Sequence, residues 1–184
     1  MKHPVSLAFA AIALFAGLCV APTISSAQPA PSYTPVPPQR PDFSTMTFLT
    51  GTWNCTQMLR GKTRPDTSTT TIGMNGSWMV TADTAPAFDQ YRTFAINGTT
   101  YTTYDPTIKQ WVQVGVDDSG GYSTESSPGW QANVMTWTGK GLDGSSSTDV
   151  VTKNSDTETT DQQTVTDSTG KSTTVTIHCT KSAS

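Results

Sequence analysis

From Thr45 onward, apolar and polar residues alternate with a period of two, which predicts strands rather than helices. Thr, Val, Ile and aromatic residues fill the alternating runs, and Gly, Asn, Asp and Pro separate them. No window of useful length has the i, i+3, i+4, i+7 spacing of an amphipathic helix. The pattern predicts an all-β domain with strands at 47–58, 67–75, 77–84, 91–97, 99–104, 110–117, 121–126, 132–139, 147–153, 158–166 and 172–180.

Turn residues set the boundaries between these strands. Asn97-Gly98 predicts a tight hairpin, because this dipeptide between two β-rich runs is a strong local hairpin signal. Two further turns are predicted at 117–121 and 168–171, and Pro106 ends the strand before it. The longest predicted loop covers 84–90.

The N-terminal part of the chain has a different pattern, typical of export. A positive start precedes an apolar run from Val5 to Val20, and small residues stand at Ser25 and Ala27. This layout predicts a signal peptide at 1–27 that is cleaved after Ala27. A retained membrane anchor is the alternative, but a run of about 16 residues is shorter than the roughly 20 that span a bilayer.

A proline-rich segment separates the predicted signal peptide from the β-rich part. Six prolines lie between Gln28 and Asp42, and so many prolines exclude a helix or a central strand. We expect an extended, polyproline-like tether at 28–43. The expected organisation is therefore a signal peptide (1–27), a Pro-rich linker (28–43) and one β-barrel domain (44–182).

Two cysteines, Cys55 and Cys179, remain after cleavage, and an oxidising compartment predicts a disulfide between them. They lie on the first and last predicted strands, and alternation places both on the inward face. A disulfide requires Cα atoms within about 7 Å, so these two strands would be neighbours. A sandwich remains the alternative, but this neighbourhood favours a single up-and-down antiparallel β-barrel of about ten strands.

Charge excludes some partners. Removing Lys2 from the eleven Lys and Arg residues leaves ten against fourteen Asp and Glu, a net charge of −4. This balance gives no electrostatic reason to bind nucleic acid or an anionic membrane. We expect a periplasmic or secreted protein with no membrane insertion after signal cleavage.

An ordered set of landmarks over residues 44–181 resembles a known family. The landmarks are Gly51-Thr52-Trp53, Gly76-Ser77-Trp78, Tyr104-Asp105 followed by Lys109 and Trp111, Ser127-Pro128-Gly129-Trp130, and Met135-Thr136-Trp137-Thr138-Gly139. Together they are similar to a bacterial calycin-like family, a domain of unknown function related in fold to lipocalins, fatty-acid-binding proteins and nitrobindin. The resemblance implies a barrel of about ten strands with an interior ligand cavity, and it implies no activity.

The sequence gives little indication of a catalytic, haem-binding or metal-binding site. Nitrobindin-like barrels hold haem through a histidine near the chain's end, but the parity of Ile177 and Cys179 directs His178 to solvent. We therefore expect no haem and no other cofactor. A nucleophile would lack a histidine base, and the Asp-rich turns lack the ligand spacing of a calcium loop. The chain is predicted not to be an enzyme.

Ligand binding is the better-supported expectation. A barrel of about ten strands can leave a cavity unless large side chains fill it. The candidate ligand-binding residues are Trp53, Trp78, Arg92, Phe94, Val114, Met135 and Trp137, and Val80, Ile96 and Val112 are also expected to face inward. This set predicts an apolar pocket for a small hydrophobic or amphiphilic molecule, with Arg92 near one rim able to meet a carboxylate. A filled barrel that serves as a structural or protein-interaction module is the alternative.

Overall fold

Eleven strands form one antiparallel sheet in the computed structural model, which describes residues 39–87 and 94–183. The strands are β1 (Gly51–Leu59), β2 (Lys62–Gly73), β3 (Trp78–Ala85), β4 (Ile96–Asp105), β5 (Gln110–Asp117), β6 (Tyr122–Ser127), β7 (Trp130–Gln131), β8 (Val134–Gly141), β9 (Ser146–Ser155), β10 (Glu158–Thr166) and β11 (Ser172–Lys181). The predicted signal peptide and residues 28–38 of the predicted tether lie outside the described residues.

The sheet closes on itself. Chain neighbours pair in order, β1 pairs with β11, and β6 pairs with β8 past the two-residue strand β7. Ten strands therefore form a closed antiparallel barrel, and β7 is an extra strand at its edge. The predicted all-β barrel of about ten strands is confirmed.

The disulfide lies at the junction of the first and last strands. Cys55 stands directly opposite Cys179, with Cα atoms 4.0 Å apart, and the two sulfurs are bonded. The predicted Cys55–Cys179 pairing is confirmed, and with it the adjacency of the two terminal strands. The bond closes a segment of 124 residues, which includes the whole ring of strands.

Two hairpins differ from the predicted turns. The dipeptide Asn97-Gly98 lies inside the continuous strand β4, so the hairpin predicted there is wrong. Asn97 instead hydrogen-bonds through its Nδ2 to Asp118 (2.7 Å), and Gly98 leaves room for the side chain of Asp83 opposite it. A tight hairpin occurs at Arg60-Gly61, where positive φ angles of 50° and 76° fit a type I′ turn.

A short 3₁₀ helix closes one end of the barrel. Phe43 and the helix Ser44–Leu49, here called the plug, insert Phe43 and Met46 among buried aromatic side chains. Phe43 packs against Trp111 at 5.3 Å between ring centroids, and the indole Nε1 of Trp53 donates to the carbonyl of Leu49 (2.8 Å). No helix in the described residues is long and apolar enough to cross a membrane.

Candidate functional site

The barrel interior is largely polar. Strand pairing places one set of alternating side chains on the inward face, and buried polar members of this set occur on most strands. The inward polar residues in the middle of the barrel are the buried Thr70, Thr102, Glu125 and Asp149 and the half-buried Thr81, Gln113 and Asp161. Apolar side chains concentrate at the plug end. The interior is thus divided into an apolar end and a polar middle.

A cavity of about 210 Å³, here called the chamber, lies where these two parts meet. Its apolar side consists of Met46, Leu49, Met79, Trp130, Met135, Trp137 and Val151. Its polar side consists of Thr81, Thr100, Thr102, Gln113, Asp149 and Asp161. The barrel is therefore not filled by its own side chains, and the chamber is amphiphilic.

Asp149 on β9 and Asp161 on β10 form an acidic pair in the chamber wall. Their carboxyl groups are in hydrogen-bonding contact with each other, and Gln163 also contacts Asp149. Burial raises the pKa of Asp149, and burial followed by the charge of Asp149 raises the pKa of Asp161 well above its ordinary value. Two adjacent buried carboxyls resist double ionisation, so the pair holds a proton under conditions where exposed carboxyls are ionised.

Three buried polar atoms around the chamber lack an ordinary partner. Oδ1 of Asp149 and Oδ1 of Asp161 receive no hydrogen bond from an amide, hydroxyl or basic side chain. Nε1 of Trp130 finds no acceptor. A buried polar atom without a partner costs about 1–3 kcal/mol, so native proteins satisfy nearly all of them. The three residues that carry these atoms all line the chamber.

Glu125 on β6 is a third acidic group inside the barrel, but its oxygens are engaged. Gln113 donates an amide hydrogen to Oε2, and the hydroxyl of Ser147 donates to Oε1 (2.5 Å). The charge of Glu125 adds to the electrostatic forces that raise the pKa of Asp149 and Asp161. Glu125 therefore strengthens the negative potential of the chamber while its own hydrogen bonds are satisfied.

The end of the barrel opposite the plug forms an open mouth. A cavity of about 640 Å³ there is lined by Arg64, Asp83, Asp117 and Tyr122, among others. Thr100 lines both the mouth and the chamber, so the two cavities adjoin within the barrel. Burial, followed by the charge of Asp66, raises the pKa of Asp83. A molecule that enters at the mouth meets acidic groups before it reaches the chamber.

Three of the predicted ligand-binding residues face the interior. Met135 and Trp137 on β8 line the chamber, and both belong to the buried core. Trp53 on β1 is also buried, but its indole packs under the plug and does not line the chamber. Trp53 and Cys55 are two residues apart on β1 and therefore share a face, and both point inward as predicted.

The remaining predicted residues lie elsewhere. Trp78 and Val114 are on the outer face, where both adjoin Tyr101, and Phe94 is a 54 % exposed residue before β4. Arg92 lies outside the described residues. The inward expectation failed on β3 and β5 because their more apolar face points outward, where Val, Tyr and Trp side chains pack across strands.

Neither His178 nor the acidic turn residues are among the residues that line the chamber. The side chain of His178 is 51 % exposed on the outer face, 3.6 Å from a carboxylate oxygen of Glu158. No group of three or more His, Cys, Asp or Glu side chains is arranged to hold a metal ion among residues 39–87 and 94–183. The acidic turn residues cap their own turns, as Asp143 does for the amide of Ser145 (2.9 Å).

The polar residues of the chamber, above all Asp149 and Asp161, are not among the site residues predicted from the sequence. Each is an isolated aspartate in the middle of a Thr- and Val-rich strand. Aspartate is disfavoured at such positions, so its placement there was an available signal for a special role. The sequence could not pair the two residues, because their contact depends on the register between β9 and β10.

Replacing Asp161 with asparagine is expected to stabilise the protein at neutral pH. Because the folded wild type retains a proton that the unfolded chain releases, its stability falls as pH rises from 3.8 through the raised folded-state pKa of Asp161. An asparagine amide can still donate to Asp149 but carries no titrating proton. We expect D161N to gain about 1.4 kcal/mol at pH 7 for each unit of pKa elevation removed. Urea denaturation between pH 4 and pH 8 measures both the gain and the flattened profile.

Asp156→Asn is the control for this measurement. Asp156 is exposed, and the nearby Lys153 ammonium lowers its pKa, so its stabilising contribution is lost only below its ordinary value of 3.8. D156N should therefore keep the wild-type profile between pH 5 and pH 8. A D161N variant less stable than wild type at pH 7 would show that the pair does not share a proton.

Compared with known protein families and with curated protein sequences, this chain matches no family model and no curated protein. The closed ten-strand barrel is compatible with the calycin-like fold that the sequence landmarks suggest.

Proposed function

We propose that this protein is an exported, calycin-like binding protein, not an enzyme, and that it holds a small amphiphilic molecule in the chamber. One observation carries the proposal: a single cavity combines an apolar side with residues whose buried polar atoms lack an ordinary hydrogen-bond partner. Ligand sites are typically apolar cavities with a few converging polar groups that fix orientation. An amphiphile would cover the apolar side and satisfy the polar atoms.

The arrangement of the two cavities supports entry from one side. The plug occupies one end of the barrel, and the mouth lies at the other. A ligand would pass the mouth, place its apolar part against Met135 and Trp137, and keep its polar part on the side of Asp149 and Asp161. The chamber volume of about 210 Å³ favours a short molecule over a long-chain fatty acid.

Export is the second part of this proposal. A disulfide is stable in the periplasm or outside the cell, whereas reducing systems keep most cytosolic thiols reduced. The Cys55–Cys179 bond and the signal-like pattern at 1–27 both support export. Cell fractionation with a C-terminal tag, together with N-terminal sequencing of the mature chain, tests localisation and the cleavage site.

Blocking the chamber should weaken binding of a neutral amphiphile strongly. Val151 lines the chamber, whereas Val150 precedes it on the same strand and faces outward. We expect V151F to bind 1-hexanol at least tenfold more weakly than wild type, because the larger ring fills the cavity, and V150F to bind within twofold of wild type. Saturation-transfer NMR and calorimetric titration measure the affinities.

The binding comparison is valid only for variants that are folded. Near-ultraviolet circular dichroism checks that each variant keeps its packed aromatic residues. Where V151F is unfolded, T102L replaces it, because Thr102 also lines the chamber. Wild-type protein that binds no 1-hexanol, or blocked variants that bind it like wild type, would refute the proposal. Native mass spectrometry of the purified protein adds a direct search for a co-purified ligand of a few hundred daltons.

A further inference from the structure

We infer that the chamber selects amphiphiles whose polar end is a primary amine, held as an ammonium group between the carboxyls of Asp149 and Asp161. This inference rests on the proposed function and names its ligand class. It starts from two aspartates that line one cavity, each with a buried Oδ1 atom that no amide, hydroxyl or basic side chain contacts by a hydrogen bond. An ammonium group carries three N–H donors and a positive charge, so it can satisfy both oxygens at once.

The Asp149–Asp161 pair differs from a surface cluster of acidic residues because it is buried. Asp149 is only 8 % exposed, and it stands opposite Trp137 in the ladder between β8 and β9. Asp161 stands opposite Val151 across the next ladder, so both carboxyls belong to the chamber wall. Charges in such a desolvated site interact far more strongly than charges in water. An uncompensated anion is costly there, and a cationic ligand would remove that cost.

The charges around the pair favour a cation over an anion. Glu125 faces the pair from β6, and β8 and β11 present Trp137 and Ile177, which do not titrate. No Lys, Arg or His is among the described residues that line the chamber. The nearby indole rings of Trp130 and Trp137 add a surface that attracts cations. A carboxylate ligand would meet only like charges and would be excluded.

Binding of an amine should release a proton. At pH 7 a simple alkylamine is protonated, since its pKa is close to that of lysine, about 10.4. The raised pKa values of Asp149 and Asp161 favour a proton on the pair before binding, and the ammonium group replaces that proton. The reactants are one alkylammonium ion and one singly protonated pair. The products are the complex of the ammonium ion with the doubly ionised pair and one proton released to solvent. Amine affinity should consequently fall as the pH is lowered towards 5, because protonation of the pair competes.

The test compares three probes with the same six-carbon chain: hexylamine, 1-hexanol and hexanoate. We expect wild-type protein at pH 7 to bind hexylamine at least tenfold more tightly than 1-hexanol, and hexanoate more weakly than either. Calorimetric titration in phosphate and in MOPS, two buffers that are not primary amines and whose ionisation enthalpies differ, measures the released protons. Up to one proton is expected for hexylamine and none for 1-hexanol.

Variants of Asp149 and Asp161 test whether these two residues cause the preference for hexylamine. D149N and D161N should each reduce the preference for hexylamine over 1-hexanol to less than threefold and abolish proton release, with 1-hexanol binding retained. The matched control E158Q removes an outward carboxylate from the same strand as Asp161 and should keep wild-type selectivity. Use of both aspartate variants protects the test against failure of one to fold.

The possible failures are distinguishable. Equal binding of hexylamine and 1-hexanol by wild type, or an amine preference that survives in D149N and D161N, overturns this inference and leaves the proposed function intact. Tightest binding of hexanoate also overturns it. Absence of binding for all three probes refutes the proposed function itself.

Discussion

Replacing both Cys55 and Cys179 with alanine is expected to lower the free energy of unfolding by about 4–5 kcal/mol. The bond spans 124 residues, and the loop-closure entropy that a disulfide removes from the unfolded chain grows with loop length. The two residues already face each other as a cross-strand pair between β1 and β11, so the bond forms without a change in strand pairing. Urea denaturation of the oxidised wild type and the double variant measures the difference.

A second double variant separates the disulfide from general damage to these strands. Thr56 and Thr180 are exposed neighbours of the cysteines on the outer face of β1 and β11. Their replacement by alanine should change stability by no more than about 0.5 kcal/mol per site. Wild type treated with a reductant should lose stability to a similar extent as the cysteine variant. A loss below about 1 kcal/mol in both would mean that the bond contributes little to closure.

The cysteines also explain why the barrel could be predicted from the sequence. Alternation around Trp53 and Cys55, and around Ile177 and Cys179, gave two inward faces, and a covalent bond then required the two strands to be neighbours. The alternation of apolar and polar residues predicts strands, and the disulfide joins the first strand to the last. Together these two features imply that the sheet closes into a barrel. Neither one alone distinguishes a barrel from a sandwich.

The apolar content of a strand's two faces does not always predict which face points into the barrel. On β5 the apolar series Val112 and Val114 faces outward, whereas Trp111 and Gln113 face inward. The rule that the apolar face is buried assumes a dry, apolar interior. In this barrel the middle of the interior is polar, so the rule fails on β3 and β5 and holds on β8, where Met135 and Trp137 face inward as predicted.

Local turn signals failed for a related reason. Asn97-Gly98 has the composition of a hairpin turn, but pairing with β3 and β5 on both sides extends this segment as a strand. Cross-strand hydrogen bonds along a whole strand outweigh a local preference of two residues. The chamber could not be predicted either. An aspartate in the middle of each strand is unusual, but the contact between Asp149 and Asp161 depends on the register between β9 and β10.

Introducing a single methyl group at Gly139 is expected to open the seam between β6 and β8, the second junction on which closure depends. A Cβ atom on this residue would overlap the carbonyl oxygen of Thr124 and lie 2.8 Å from Cα of Glu125, both on the paired strand. Because these are backbone atoms, no rotation of a side chain relieves the overlap, and we expect G139A to lose about 3 kcal/mol or more. Gly73→Ala is the matched control, because its Cβ would make an ordinary 3.7 Å contact with Val80. Urea denaturation measures both variants, and hydrogen exchange should be faster in β6 and β8 of G139A alone. Wild-type stability and exchange in G139A would show that β6 and β8 are not in contact, and the enclosed chamber would then lose its wall.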